Sequence, residues 1–149
     1  QGTRFKEGDT VQYNGQECIV FKEEDSGGHL IVQNMSGVVA LAEFLKSNRA
    51  LKSANLAKTE IGDEGAMAIS AALESNTSLA ELDLSGTGFG PMIGTAGAQA
   101  IAKMLVVNRA LKSVDLRYNL IPDEGCRQLR AAVGNKSITL HLEPQRRKR

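Results

Sequence analysis

The sequence predicts an α/β solenoid in which short parallel strands and helices alternate through stacked units of about 28 residues. Three observations predict it. A leucine frame recurs as Asn48-Arg-Ala-Leu51-Lys-Ser-Ala54-Asn-Leu56, Asn76-Thr-Ser-Leu79-Ala-Glu-Leu82-Asp-Leu84 and Asn108-Arg-Ala-Leu111-Lys-Ser-Val114-Asp-Leu116. The steps from Leu51 to Leu79, Leu79 to Leu111 and Leu111 to Ile138 are 28, 32 and 27 residues, so one basic unit underlies all three. Each frame is followed by an apolar stripe at i, i+3 and i+7: Ala66, Ile69 and Leu73; Ala98, Ile101 and Leu105; Cys126, Leu129 and Val133. That spacing is one face of a helix.

Taken in order, residues 1–34 read as an N-terminal β-meander cap or a fragment of a small β domain. Thr10–Tyr13 and Glu17–Phe21 flank Asn14-Gly15, a strong hairpin signal, and His29–Gln33 offers a third strand. The pattern Gly8-Asp-Thr-Val-Gln-Tyr-Asn-Gly-Gln-Glu also matches the opening of an SH3-like barrel. Residues 35–47 carry the helix stripe as Val38, Leu41 and Leu45 without a leucine frame before it, and so form a degenerate first repeat. Repeats follow at 48–75, 76–107 and 108–134. Asp63, Thr95 and Asp123 share one repeat position, and each side chain accepts hydrogen bonds, so they are expected as helix N-caps. The long unit carries four extra residues, placed most simply at Pro91–Gly94, with Phe89 in the core position of Ile61 and Ile121. Residues 135–143 form a closing strand, in which Ile138, Leu140 and Leu142 sit one residue out of the expected register. Residues 144–149 are a basic tail.

Composition bounds the function. The chain has 149 residues, 42% hydrophobic, with 18 Lys+Arg against 17 Asp+Glu and a net charge of +1. One core is affordable, and no whole-molecule field attracts nucleic acid or anionic membrane. Aromatic residues are 4% with no Trp, which leaves little for base stacking. Cys18 and Cys126 make neither a disulfide framework nor, with His29 and His141, a typical zinc site. No apolar run reaches the roughly 20 residues that span a bilayer, and no secretory signal opens the chain. These features lead us to expect a cytoplasmic protein. The first residue, Gln1, suggests a piece of something longer.

The leucine frame, the Ile-Gly-Asp-Glu-Gly junction and the helix stripe together resemble leucine-rich repeats of the ribonuclease-inhibitor type, over Gly37–Leu142. The turn position, often Asn in that family, is Thr59 and Thr87 in two units and Asn119 in the third. The resemblance implies a right-handed solenoid with strands on the concave face and helices on the convex face. It also implies a non-enzymatic module that binds a protein through the strand face. The Leu-Ala-Lys-Thr and Gly-Ala-Met-Ala-Ile runs are similar to tropomodulin-like actin-filament end-cappers, which implies a cytoskeletal partner. The repeats also resemble Ran GTPase-activating proteins, which implies regulation of a small GTPase; Arg117 is the best-placed arginine.

If the leucines point inward, the residues between them face outward. Asn55, Glu81, Asp83, Asp115 and Arg117 are then candidate partner-binding residues, with Lys58 and Tyr118 just past the strands. Tyr and Arg are types enriched at binding hot spots. Met92 and Ile93, two apolar residues on the insertion, are a further candidate contact. No catalytic residue is assigned, since carboxylates on an open face are not desolvated for acid–base work and no nucleophile stands beside them. The glycine-rich stretch from Gly86 lacks the Gly-Lys-Ser/Thr ending of a phosphate loop and the dinucleotide spacing. No metal, cofactor or small-molecule substrate is expected. Arg146-Arg147-Lys148-Arg149 fits a nuclear localisation signal or a weak nucleic-acid or phosphate contact. Asn34, Asn76 and Asn135 begin glycosylation patterns, but Asn76 and Asn135 stand at a helix exit where Asn has a structural use.

Overall fold

The computed structural model describes residues 10–13, 16–19, 29–31, 35–59, 61–86 and 90–147. Two strands, β1 (Thr10–Tyr13) and β2 (Gln16–Ile19), pair antiparallel, Tyr13 opposite Gln16. Then β3 (His29–Ile31), β4 (Ser53–Asn55), β5 (Glu81–Asp83), β6 (Ser113–Asp115) and β7 (Thr139–His141) form one parallel sheet in sequence order. Helices α1 (Met35–Ser47), α2 (Gly62–Leu73), α3 (Thr95–Val107) and α4 (Asp123–Val133) connect them and pack side by side in the same order. The β1–β2 hairpin lies against α1. This is a short solenoid with a helix layer and a strand layer.

The strands are short because only three residues per unit sit between two turns, and the apolar frame pins them. Ala54, Leu82 and Val114 share one register position, as do Asn55, Asp83 and Asp115. The inward set, with Leu51, Leu56, Leu79, Leu84, Leu111 and Leu116, meets Ala66, Ile69, Leu73, Ala98, Ile101, Leu105 and Leu129 in one continuous buried cluster. No unit could bury its faces alone, and stacking supplies the cover.

Four expectations are corrected. His29–Ile31 is not a third meander strand: its backbone pairs in parallel with β4, Leu30 opposite Ala54, and so supplies the strand missing before α1. The step from Leu30 to Ala54 is 24 residues, four short of the repeat, which hid it from the frame. Second, Asp63, Thr95 and Asp123 do not cap their own helices; each lies inside its helix, and α2, α3 and α4 have no side-chain N-cap hydrogen bond. Asp63 instead caps the next helix, its Oδ1 accepting the Gly94 and Gly97 N–H groups, both at 2.8 Å. Third, Ile93 is fully buried and takes the place of Ile61 and Ile121, so the four extra residues lie before it. Thr87 and Phe89 fall outside the described residues. Gly97 is required here, since a Cβ would stand 2.7 Å from both Ile93 Cγ2 and Asp63 Oδ1.

Fourth, the closing strand recovers its register. Leu140 pairs opposite Val114, and Leu142 is buried, so the missing residue is absorbed before the strand and Ile138 is left half-exposed. The helix exits are locked by asparagine. The Oδ1 of Asn48, Asn76 and Asn108 accepts the N–H groups two and three residues on, which bends each chain into the next strand. The Nδ2 groups of Asn76 and Asn108 reach back to the preceding unit, to Leu45 and Asn48 carbonyls and to Leu73 and Asn76 carbonyls. In the last unit the Lys136 ammonium takes over, donating to the carbonyls of Leu105, Val106 and Asn108. Asn76 is 2% exposed, so its glycosylation pattern is closed in the folded chain.

Candidate functional site on the strand face

The register places the outward side chains in rows across the sheet. Ser53, Glu81, Ser113 and Thr139 form one row, and Asn55, Asp83, Asp115 and His141 the next. The second row is fixed by local hydrogen bonds: Asn55 Oδ1 accepts the Ala57 N–H, Asp83 Oδ1 the Ser85 N–H and Asp115 Oδ1 the Arg117 N–H, at 2.9, 2.9 and 3.0 Å. Repetition of the same short side chain at the strand exit gives the same turn in each unit. These residues are therefore structural and leave only part of each polar group for a partner.

Arg117 and Asp115 close on each other. Nε lies 3.0 and 3.1 Å from the two carboxylate oxygens and Nη2 lies 2.7 Å from Oδ2. Burial pushes the Asp115 carboxyl up, but the hydrogen bonds from the Arg117 side chain and backbone, with its charge, outweigh it and hold the carboxyl below its ordinary value. The Arg117 side chain keeps 44% exposure against 13% for Asp115. Arg117 thus offers part of its guanidinium to solvent from a braced position.

Lys58 and Tyr118 occupy one repeat position and adopt φ of 62° and 61°, a conformation that side chains with Cβ avoid. Both are exposed, Tyr118 at 42%. Glu81 is also exposed and enters no ion pair among the described residues. The structure therefore brings Glu81, Asp83, Asp115, Arg117 and Tyr118 onto one side of the sheet. Asn55 and Lys58 lie one unit from Glu81 and Asp83. It separates Ile93, which is core, and Met92, which is half-buried. The insertion does not present an apolar pair to a partner.

Sequence reasoning missed His141, which stands in register with Asp115, because the closing strand was read one residue out. Met92 lines a depression of about 1060 Å³ at the helix N-terminal rim, together with Asp63, Cys126, Glu143 and Arg146. Burial raises the Cys126 thiol above its ordinary pKa, and the side chain packs in the core, so it is not an activated nucleophile. Among the described residues no group of three or more His, Cys, Asp or Glu is placed to hold a metal, and no helix is long and apolar enough to cross a membrane.

Residues 47–70 and 107–129 match the family described as Leucine Rich repeat. The chain is 32% identical over 128 residues to RAN GTPase-activating protein 2 of Arabidopsis thaliana, an alignment covering 80% of this chain and 23% of that protein. It thus spans about a quarter of that relative's length. Among solved structures it is similar to one titled Leiomodin-1 Actin-Binding Site 2 (ABS2), with a TM-score of 0.62 and 23% identity over 72% of this chain and 62% of that one. That likeness is one of fold. With the recurring leucine frame, the asparagine-locked helix exits and the parallel sheet, these matches establish that the chain is a leucine-rich repeat protein of the ribonuclease-inhibitor type.

Proposed function

We propose that this repeat module binds a protein partner through its strand face, without catalysis of its own. The observation that carries the reading is the exposed group of Glu81, Arg117 and Tyr118 beside a row of turn residues already fixed by internal hydrogen bonds. A pre-ordered face gives up little side-chain entropy on binding, and Tyr and Arg are strong anchors. Asn55, Lys58, Asp83 and Asp115 extend the same surface. The module works in the cytoplasm, and the tail at Arg146 and Arg147 acts as a nuclear address in this reading.

A second reading, regulation of a small GTPase, draws on the name of the relative, RAN GTPase-activating protein 2. Arg117 is the candidate arginine, and to reach a nucleotide it has to leave Asp115. The two readings separate in one experiment with a GTP-loaded Ran-type GTPase and, as a second probe, actin filaments. If the chain is a binder only, Arg117→Ala weakens binding by about 10-fold and leaves the GTPase's own turnover unchanged. Stimulated GTP hydrolysis that Arg117→Ala abolishes, with binding retained, establishes the regulatory reading instead.

A further inference from the structure

The sequence Asn-Arg-Ala-Leu-Lys-Ser stands at 48–53 and again at 108–113, whereas the unit between reads Asn-Thr-Ser-Leu-Ala-Glu. These stretches form the edge of the solenoid where helices end and strands begin, away from Lys58 and Tyr118. The asparagine locks fix both loops, and from them Arg49, Lys52, Arg109 and Lys112 are exposed. The Lys52 carbonyl accepts the Ala80 N–H at 2.8 Å and the Ala80 carbonyl accepts the Lys112 N–H at 2.7 Å, which sets Lys52, Ala80 and Lys112 on successive rungs. Lys136 adds a fifth cation, close enough to Arg109 for the two charges to interact.

The acids nearby do not neutralise this edge. Glu43 is taken by Lys46 at 2.8 Å, and Glu74 faces Lys103 at 3.9 Å. Glu81 stands on the strand face, next to the uncharged middle rung. Among the described residues Lys52, Arg109 and Lys112 enter no ion pair. Helix dipoles account for cations within the last turn, such as Lys46. They do not account for Lys52 and Lys112, which lie five residues beyond the ends of α1 and α3.

Neighbouring strands lie about 4.8 Å apart, so the two lysine rungs are separated by about 10 Å, the length of three residues of extended chain. We propose that this edge binds an extended acidic peptide segment of a partner protein, with carboxylates at every third residue meeting the Lys52 and Lys112 rungs and the Arg109–Lys136 corner. Peptide is favoured over nucleic acid on two counts. No aromatic residue lies on this edge for stacking, and the helix-end carbonyls between the cations repel a continuous phosphate chain that has no N–H to offer them.

The test uses a fluorescent peptide with glutamate at every third residue among Gly and Ser, titrated by anisotropy at low and physiological salt. The comparisons are a peptide of equal composition with its glutamates in one block, and a single-stranded oligonucleotide. Binding of the spaced peptide that weakens by about 10-fold or more in Lys52→Glu/Lys112→Glu and returns in Lys52→Arg/Lys112→Arg supports the proposal. Both lysines are exposed, and unchanged melting of the variants confirms that folding is not at issue. Tyr118→Asn binds the peptide like the parent, which separates this edge from the strand face. Equal binding by the charge-reversed variant, no binding at low salt, no preference for the spaced peptide, or tighter binding of the oligonucleotide each overturns it.

Discussion

At the scale of single residues, two side chains report how the interior is balanced. Ser70 is 2% exposed and its hydroxyl finds no hydrogen-bond partner, at a repeat position that α3 fills with Ala102. A buried hydroxyl without a partner costs free energy. Ser70→Ala is therefore expected to raise stability by about 1 kcal/mol in urea unfolding, and a loss of stability would show that the hydroxyl has a partner after all. Asp115 gives a pH signature. Its carboxyl pKa is lower folded than unfolded, so its contribution is complete above the ordinary carboxylate value of 3.8 and disappears as pH falls through the lower folded value. The stability gap between the parent and Asp115→Asn should hold constant from neutral pH to about 5 and close below about 4. A gap that widens in acid contradicts the pairing with Arg117.

At the scale of elements, the helix exits decide whether units stack. Asn108 spans three connections, accepting the Ala110 and Leu111 N–H groups while donating to carbonyls of the preceding unit. Asn48 makes only the two acceptor bonds among the described residues. Asn108→Ala should cost about 3 kcal/mol and Asn48→Ala about half of that, measured by chemical denaturation, because only the first also orphans buried carbonyls. Equal costs would mean that the link between units contributes nothing. These exits were legible in the sequence as the repeated Asn before each leucine frame. The Lys136 substitute was not, because a long ammonium reaching back over about 30 residues leaves no local pattern. Helix starts were misread for a related reason. Asp63 is a good acceptor in a good position, but stacking brings the free N–H groups of Gly94 and Gly97 closer to it than those of its own helix.

At the scale of the whole molecule, the repeat frame determines nearly everything that the core needs: strand positions, helix faces and the order of the sheet. Irregular units are where it failed. The 24-residue step to β3, the insertion before Ile93 and the shortened approach to β7 each move residues between core and surface without changing composition. The strand face was read correctly as a surface, since alternation alone puts Glu81, Asp83, Asp115 and Arg117 outward. What alternation could not tell is that Asn55, Asp83 and Asp115 are committed to their own turns, leaving Glu81 and Tyr118 as the freer contacts. The most direct test of strand-face binding is a pull-down from native cytosol with the parent chain, a Glu81→Ser/Tyr118→Asn variant and a helix-face control, Met67→Ala/Arg127→Ala, all with matched melting curves. The account predicts a partner retained by the parent and the helix-face control and lost by the strand-face variant. Retention of that partner by the strand-face variant, or its loss in the control alone, would contradict it.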